Sequence, residues 1–412
     1  MGSRWWKDRS QLPERVVISM KICVLCFNFR EDNLRRQPWC YVYQITKGLT
    51  ERGIDTCVIT TGEDTIVENI RVRGVNSLDS IFGESDDVIR VLDEEDPDVV
   101  IKLIGATSFL RIRRRISRPV IGILTSPTYT VREVIGVGLD EFVRHGNYLW
   151  IHLLGALVPD ALVRRSGKNY EAIVVLSEEN RNRLVRTGIT TDIVTIPPGI
   201  DPFDLELPSP ESIRKMRTLV NPEDLPLILY FTSPLTVRGT DVLVKAFAQV
   251  RKTIPAKLIF LSRMDYPELD KDMTLLKNLA TQKGVSDSVE FVTRTLSRTE
   301  VKEYLSMADI VCLPFKLVLS DAPISILEAM ALGKPVISTD IAGIPEMLGE
   351  GGYSIRQNDV NALVEMIHFI LTRSEKQGNL GELKKKSIVN SPTWSIVTTK
   401  FHAIIENLVG SK

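Results

Sequence analysis

The densest chemistry in the 412 residues lies in Ser320-Asp321-Ala322-Pro323-Ile324-Ser325-Ile326-Leu327-Glu328-Ala329-Met330-Ala331-Leu332-Gly333-Lys334-Pro335-Val336. A strand ending near Leu313 runs into a loop of small residues, and a helix begins about Ile324. The unpaired N–H groups and positive dipole end of such a helix suit a phosphate. Pro323 has no N–H to give, so the amides of Ile324 and Ser325 are the expected donors. Glu328 follows four residues after Ile324 and shares its face of the helix. A carboxylate there accepts hydrogen bonds from hydroxyls, and ribose is their natural source. The alternative, an ordinary surface carboxylate, fits poorly with neighbours such as Ile326, Leu327, Ala329 and Met330.

The surrounding elements that would position this segment alternate between short apolar runs and helical stretches. Strands are expected at Met20–Phe27, Thr56–Thr60, Asp98–Ile104, Pro119–Leu124, Ala172–Leu176 and Ile193–Ile196, with a helix over Tyr41–Arg52. A Pro-rich joint, Pro197-Pro198-Gly199-Ile200-Asp201-Pro202, separates them from a second series. There, strands at Leu227–Phe231, Ala256–Leu261, Val289–Val292, Ile310–Leu313 and Val336–Ser338 alternate with helices. This grammar predicts an α/β protein of two Rossmann-like, doubly wound domains with an interdomain cleft at the carboxyl ends of both sheets. The expected division is an N-terminal extension over 1–19, a first domain over 20–200 joined by a terminal helix over 393–409, and a second domain over 201–392.

Composition narrows the partners. Lys and Arg number 52, as do Asp and Glu, which disfavours a nucleic-acid coat. Five cysteines, four of them within the first 57 residues, make no secreted disulfide framework and point to a reducing, cytoplasmic setting. Cys23 and Cys26 form a CxxC inside a strand, where positions i and i+3 face opposite ways; buried small apolar residues are the reading. The four histidines pair with no ligand set, so no metal site is expected. No signal peptide or membrane span is visible.

Ser325 to Val336, followed by Thr339-Asp340-Ile341-Ala342-Gly343-Ile344-Pro345-Glu346, resembles the donor-site signature of retaining GT-B glycosyltransferases of the group-1 or family-4 type. Met20-Lys21-Ile22, Ile196-Pro197-Pro198-Gly199-Ile200-Asp201 and Arg238-Gly239-Thr240-Asp241-Val242-Leu243 agree with it in order. The resemblance implies an NDP-sugar donor held by the second domain, a glycan or lipid-linked acceptor held by the first, transfer with retention at the anomeric carbon, and no metal requirement. It assigns the ribose to Glu328 and pyrophosphate positions to Ser233 and Arg238. Ser320 stands where the family has a sugar-contacting Glu, and Asp321 is the adjacent carboxylate that would take over that contact.

The chain departs from the family elsewhere. Ser233 replaces an Arg, and Arg263 and Arg294, each just after a strand, are candidates to restore the lost charge. The family's Gly-Gly loop after the first strand is replaced by residues 28–39, in which Arg35 and Arg36 either bind phosphate or are simply solvated. Ile104 stands in place of a frequent His. Nine acids between Asp79 and Asp98 are followed by Arg111, Arg113, Arg114, Arg115 and Arg118 without an acid. That cluster is either a solvated face or a dock for anionic lipid or a lipid-linked phosphate acceptor, which would make the protein peripheral at a membrane. The departures also leave open a degenerate protein that binds a nucleotide sugar, or scaffolds others, without turnover.

Overall fold

The computed structural model describes residues 20–80, 83–111, 115–262, 269–373 and 392–410. The first half of the chain carries β1 (Lys21–Leu25), β2 (Asp55–Thr61), β3 (Thr65–Val67), β4 (Ile70–Val75), β5 (Asp79–Ser80), β6 (Gly83–Glu84), β7 (Val99–Ile104), β8 (Val120–Leu124), β9 (Ala172–Val175) and β10 (Asp192–Thr195). The second half carries β11 (Leu227–Phe231), β12 (Lys257–Leu261), β13 (Val289–Val292), β14 (Ile310–Leu313), β15 (Val336–Thr339) and β16 (Tyr353–Ile355). Eight strands form one sheet in the order β10-β9-β8-β7-β1-β2-β4-β3, and six form another in the order β13-β12-β11-β14-β15-β16. All pairs in both sheets are parallel except β3 with β4. The expected α/β class with two parallel-sheet domains is present.

Burial on both faces explains the unbroken apolar strands. Ile22, Val24 and Cys26 belong to one core layer and Cys23 and Leu25 to the layer across the sheet, which separates the two cysteines of the CxxC. Strand β4, next to the edge strand β3, obeys a different rule. Ile70 and Val72 point inward, while Arg71 and Arg73 hold Glu95.

Each sheet reverses its strand order once, between β1 and β7 in the first and between β11 and β14 in the second. Loops leaving the adjacent strand ends diverge there and open a crevice. The chain crosses between the domains a second time near Pro392. The Ile200 N–H donates to the Pro392 carbonyl at 2.9 Å. Gly199 lies so near the returning strand that a Cβ would sit 2.5 Å from the Trp394 nitrogen. The last helix, Trp394–Val409, buries Val397, Phe401 and Ile405 in the core of the first domain.

The helix Leu139–Ala156 comes from the first half of the chain, yet Leu149, with Tyr129, Val134 and Val137 just before the helix, packs into the core around β11–β16. Its polar anchor is Glu141, which is 1% exposed. Lys316 lies 2.8 Å from Glu141 Oε1 and 2.7 Å from Asp241 Oδ1, and the Thr236 hydroxyl donates to Glu141 Oε2 at 2.9 Å.

The arginine cluster has a different fate from the expected basic face. Arg111 pairs with Asp79, Arg115 with Asp86 and the Glu84 carbonyl, and Arg118 with Asp96. Each of these three arginines thus has a carboxylate partner in the acidic run. Arg113 and Arg114 lie outside the described residues. No described helix is long and apolar enough to cross a membrane.

Lys316 is the only cation reaching both Glu141 and Asp241 among the described residues. Lys316→Met should lower unfolding stability by roughly 3 kcal/mol, because removing one partner leaves buried carboxylates short of charge. Urea denaturation checks this, and an unchanged midpoint would remove the ion cluster from the account.

Candidate functional site

The loops at the β11–β14 reversal build the site. After β11, residues 232–235 lead into a single turn at Thr236–Arg238, which ends at Gly239 in the left-handed conformation, with φ +77°. Only glycine fits there, since a Cβ would lie 1.7 Å from the Pro314 carbonyl oxygen. The Leu317 N–H donates to the Val237 carbonyl at 3.0 Å, tying the two loops together. The Tyr230 hydroxyl holds the Ser233 carbonyl at 3.0 Å. After β14, the chain turns through Pro314 to Pro323 and starts the helix Ile324–Ala331, whose N-terminus receives no side-chain cap.

Between these loops and the first domain lies a cavity of about 280 Å³. Ser233, Arg238, Ser320, Ile324, Ser325 and Glu328 all line it, and Arg35, Arg36, Gln37 and Trp39 reach it from the loop after β1. The sequence-derived candidates therefore converge from three separate chain segments. The Arg238 guanidinium donates to the Thr232 hydroxyl, and no carboxylate among the described residues lies within ion-pair distance of it. The first-turn amides at Ile324 and Ser325 have no acceptor within their own helix. A half-buried cation and a bare helix start on one wall suit a diphosphate. Glu328, lower on the same helix, suits hydroxyls.

Two candidates fall elsewhere. Asp321 does not line the cavity; it is 1% exposed, and its Oδ1 accepts the Gly343 N–H at 3.0 Å while its own N–H donates to the Thr125 carbonyl at 2.7 Å. Ser320 lines the cavity and Asp321 turns into the interdomain seam, so its carboxylate does not face the cavity in which the sugar contact was expected. Arg294 sits at the exposed end of β13 and pairs with Glu300 at 2.7 Å, which removes it from the donor loops. Arg263 lies outside the described residues.

The seam that captures Asp321 escaped sequence reading. Glu346 caps the helix Glu178–Arg186, accepting the N–H groups of Glu178 at 2.8 Å and Glu179 at 2.6 Å. The Tyr129 hydroxyl donates to the Val318 carbonyl at 3.0 Å and accepts the Val318 N–H at 2.9 Å. Burial pushes the Asp321 carboxyl up to about 7, and the nearby Glu346 charge adds to it, while Ser177 and the Gly343 N–H pull the other way. The only signal for this seam was the Gly343-Ile344-Pro345-Glu346 run, which names residues but not their partners.

Residues 212–387 match the family described as glycosyl transferases group 1, and residues 40–203 match glycosyltransferase family 4. A GDP-mannose-dependent alpha-(1-6)-phosphatidylinositol monomannoside mannosyltransferase of Mycolicibacterium smegmatis is 25% identical over 241 residues, 56% of this chain and 61% of that protein. An N-acetyl-alpha-D-glucosaminyl L-malate synthase of Bacillus anthracis is 30% identical over 169 residues, 39% of this chain and 40% of that protein. The alignments thus span 61% and 40% of these two relatives. In solved structures, a sucrose-phosphate synthase from Thermosynechococcus elongatus has a TM-score of 0.74 at 17% identity, covering 95% of this chain and 100% of that one. Anabaena HepE, in complex with UDP and glucose, has a TM-score of 0.68 at 16% identity, covering 94% of this chain and 99% of that one. At these identities the structural likeness is one of fold, the GT-B arrangement.

Asp321 gives the interdomain seam a pH signature. Its folded pKa lies above the ordinary value of 3.8, so between about 4 and 7 the folded chain holds a proton that the unfolded chain has released. Stability from this group therefore falls as pH rises through that window and is flat above it. Asp321→Asn keeps an acceptor for Gly343 and has nothing to ionise. It should exceed wild type by roughly 2–4 kcal/mol at pH 8 and converge with it near pH 4. Parallel urea-stability curves for the two proteins from pH 4 to 8 would contradict this.

Proposed function

We propose that this chain, which belongs to the glycosyl transferases group 1 and carries a glycosyltransferase family 4 N-terminal half, moves a sugar from a nucleoside diphosphate sugar to an acceptor hydroxyl. One observation carries the reading. A single cavity joins Arg238, the bare start of the helix at Ile324, and Glu328 one turn further on. That order, cation and amides beside a carboxylate, matches a diphosphate followed by a ribose. HepE, with UDP and glucose, and the relative named for GDP-mannose support a nucleotide-sugar donor.

In this reading the bond between the anomeric carbon and the β-phosphate oxygen breaks, and its electron pair leaves with the diphosphate. Arg238 and the amides of Ile324 and Ser325 take up the charge that develops there. The acceptor oxygen bonds to the same face of the anomeric carbon, with retention, and its proton passes to the departing diphosphate. The protein chiefly positions the two substrates and stabilises charge, and no resident cofactor or metal is invoked. The acceptor, a glycan or a lipid-linked sugar, enters from the side of the first domain.

A second reading is favoured by Ser320. Glu328 is the only carboxylate among the described residues lining the cavity, so the sugar end has no anionic contact. This would suit a nucleotide-sugar-binding or scaffolding subunit without turnover. Release of nucleoside diphosphate in the presence of sugar and lipid acceptors distinguishes the two, since binding without release across the acceptor panel favours the second.

Calorimetry with UDP, GDP and ADP tests the shared donor site. Arg238→Ala should weaken the best-bound diphosphate by about 10–100-fold, the range for losing a charge-assisted contact. Glu328→Ala should weaken it about tenfold and reduce discrimination against the 2′-deoxy nucleotide. Unchanged affinity in both variants would refute the assignment.

A further inference from the structure

Gln37 is a polar residue at this cavity whose hydrogen bonding is missing. It lines the cavity from the first domain, as Ser320, Ile324 and Glu328 do from the second. Its Oε1 and Nε2 are both closed off from solvent, and neither has a hydrogen-bond partner among the described residues. A carboxamide has two donor hydrogens and an acceptor oxygen. Native proteins pair such groups in the large majority of cases when they are buried, and a bare one is a standing penalty.

The loop does not offer an easy escape to water. The Trp39 indole N–H donates to the Phe27 carbonyl at 2.7 Å, and the two rings meet edge to face. The Asn33 side chain donates to the Asn28 carbonyl at 3.0 Å, and the Phe29 N–H donates to the Thr60 hydroxyl at 2.9 Å. These bonds fix the loop on both sides of Gln37. Gln37 also borders the cavity, so a turn of its side chain, with the loop left intact, would bring the carboxamide to a molecule entering there.

The chemistry of the group selects the kind of partner. A neutral carboxamide, donor and acceptor together, matches a sugar hydroxyl, which also donates and accepts. It is a poor match for phosphate, for which Arg238 and the helix start are already in place. From the second domain Ser320 supplies a small hydroxyl that leans on the Ala322 carbonyl at 3.4 Å, and Asp321 is committed to the seam. We propose that Gln37 recognises hydroxyls of the donor sugar, supplying from the first domain the polar contact that Ser320 and Asp321 do not give from the second. This rests on the donor-site reading above.

The test compares wild type with Gln37→Met, which keeps length and removes hydrogen bonding. Calorimetry is run with UDP and GDP, and with UDP-glucose, UDP-N-acetylglucosamine and GDP-mannose. In wild type the best nucleotide sugar should bind more tightly than its diphosphate. In Gln37→Met the diphosphate should bind within twofold of wild type, and the gain due to the sugar should fall at least tenfold. Without ligand, the variant should melt at or above the wild-type temperature, since an unsatisfied buried amide has been removed. As a control independent of that variant, deoxyfluoro analogues of the sugar should bind wild type more weakly at one hydroxyl position.

A sugar gain unchanged in Gln37→Met, or a variant that melts several degrees lower with that gain intact, would overturn the assignment and make Gln37 structural. Should Gln37→Met not fold, equal binding by every deoxyfluoro analogue would overturn it on wild type alone. If wild type bound no diphosphate, the donor-site reading would fall first and this proposal with it. If it bound diphosphate but gained nothing from any sugar, only the Gln37 assignment would fall.

Discussion

Gly239 and the Pro314 carbonyl oxygen approach more closely than any other residue type would permit. That contact joins the loop after β11 to the loop after β14 at the point where the second sheet reverses direction. Arg238 precedes the glycine, and the bare helix start lies at the far end of the other loop. Their relative placement therefore follows from one steric constraint, reinforced by the bond from Leu317 to Val237. A larger residue at 239 would have to push the loops apart, and with them the cation and the amides. Strand order creates a crevice in any doubly wound sheet; this glycine sets its dimensions here.

The first domain completes the cavity by a different route. A glycine loop after β1 would have brought backbone to the ligand, whereas this chain brings side chains: Arg35, Arg36, Gln37 and Trp39. The domains are held in register by Lys316 at the crossing helix, Glu346 on the helix Glu178–Arg186, and Tyr129 on Val318. Each joins residues far apart in sequence; the Lys316 and Tyr129 contacts are buried, and the Glu346 cap lies at the exposed rim, so the seam is specific as well as closed. Arg238, with no carboxylate partner among the described residues, stands out because many other arginines have one.

Much of this was legible from residues alone, for a physical reason. Parallel strands covered on both faces read as unbroken apolar runs, so β11 and β14 are found at their expected limits and β1 within two residues. The helix with Glu328 announced itself by Pro323 at its cap and by apolar neighbours. β4 escaped because its exposed arginines break the apolar run. The two runs of opposite charge were visible as segregation, but sequence order does not reveal that Arg111 folds onto Asp79 and Arg118 onto Asp96. Asp321 shows the sharpest limit. One residue along a loop separates a cavity wall from a domain seam, and composition is silent on which way the backbone turns. Gln37 carried no signal, because a missing partner is a property of the folded chain.

The central claim is that the diphosphate of a nucleotide sugar lies between Arg238 and the start of the helix at Ile324. A crystal structure of the protein with its best-bound nucleoside diphosphate tests this most directly. The account predicts phosphate oxygens within hydrogen-bond distance of the Arg238 guanidinium and of the Ile324 and Ser325 amides, with the ribose hydroxyls on Glu328. A nucleotide bound elsewhere, or one in this cavity with its phosphates turned away from both Arg238 and the helix start, would contradict it.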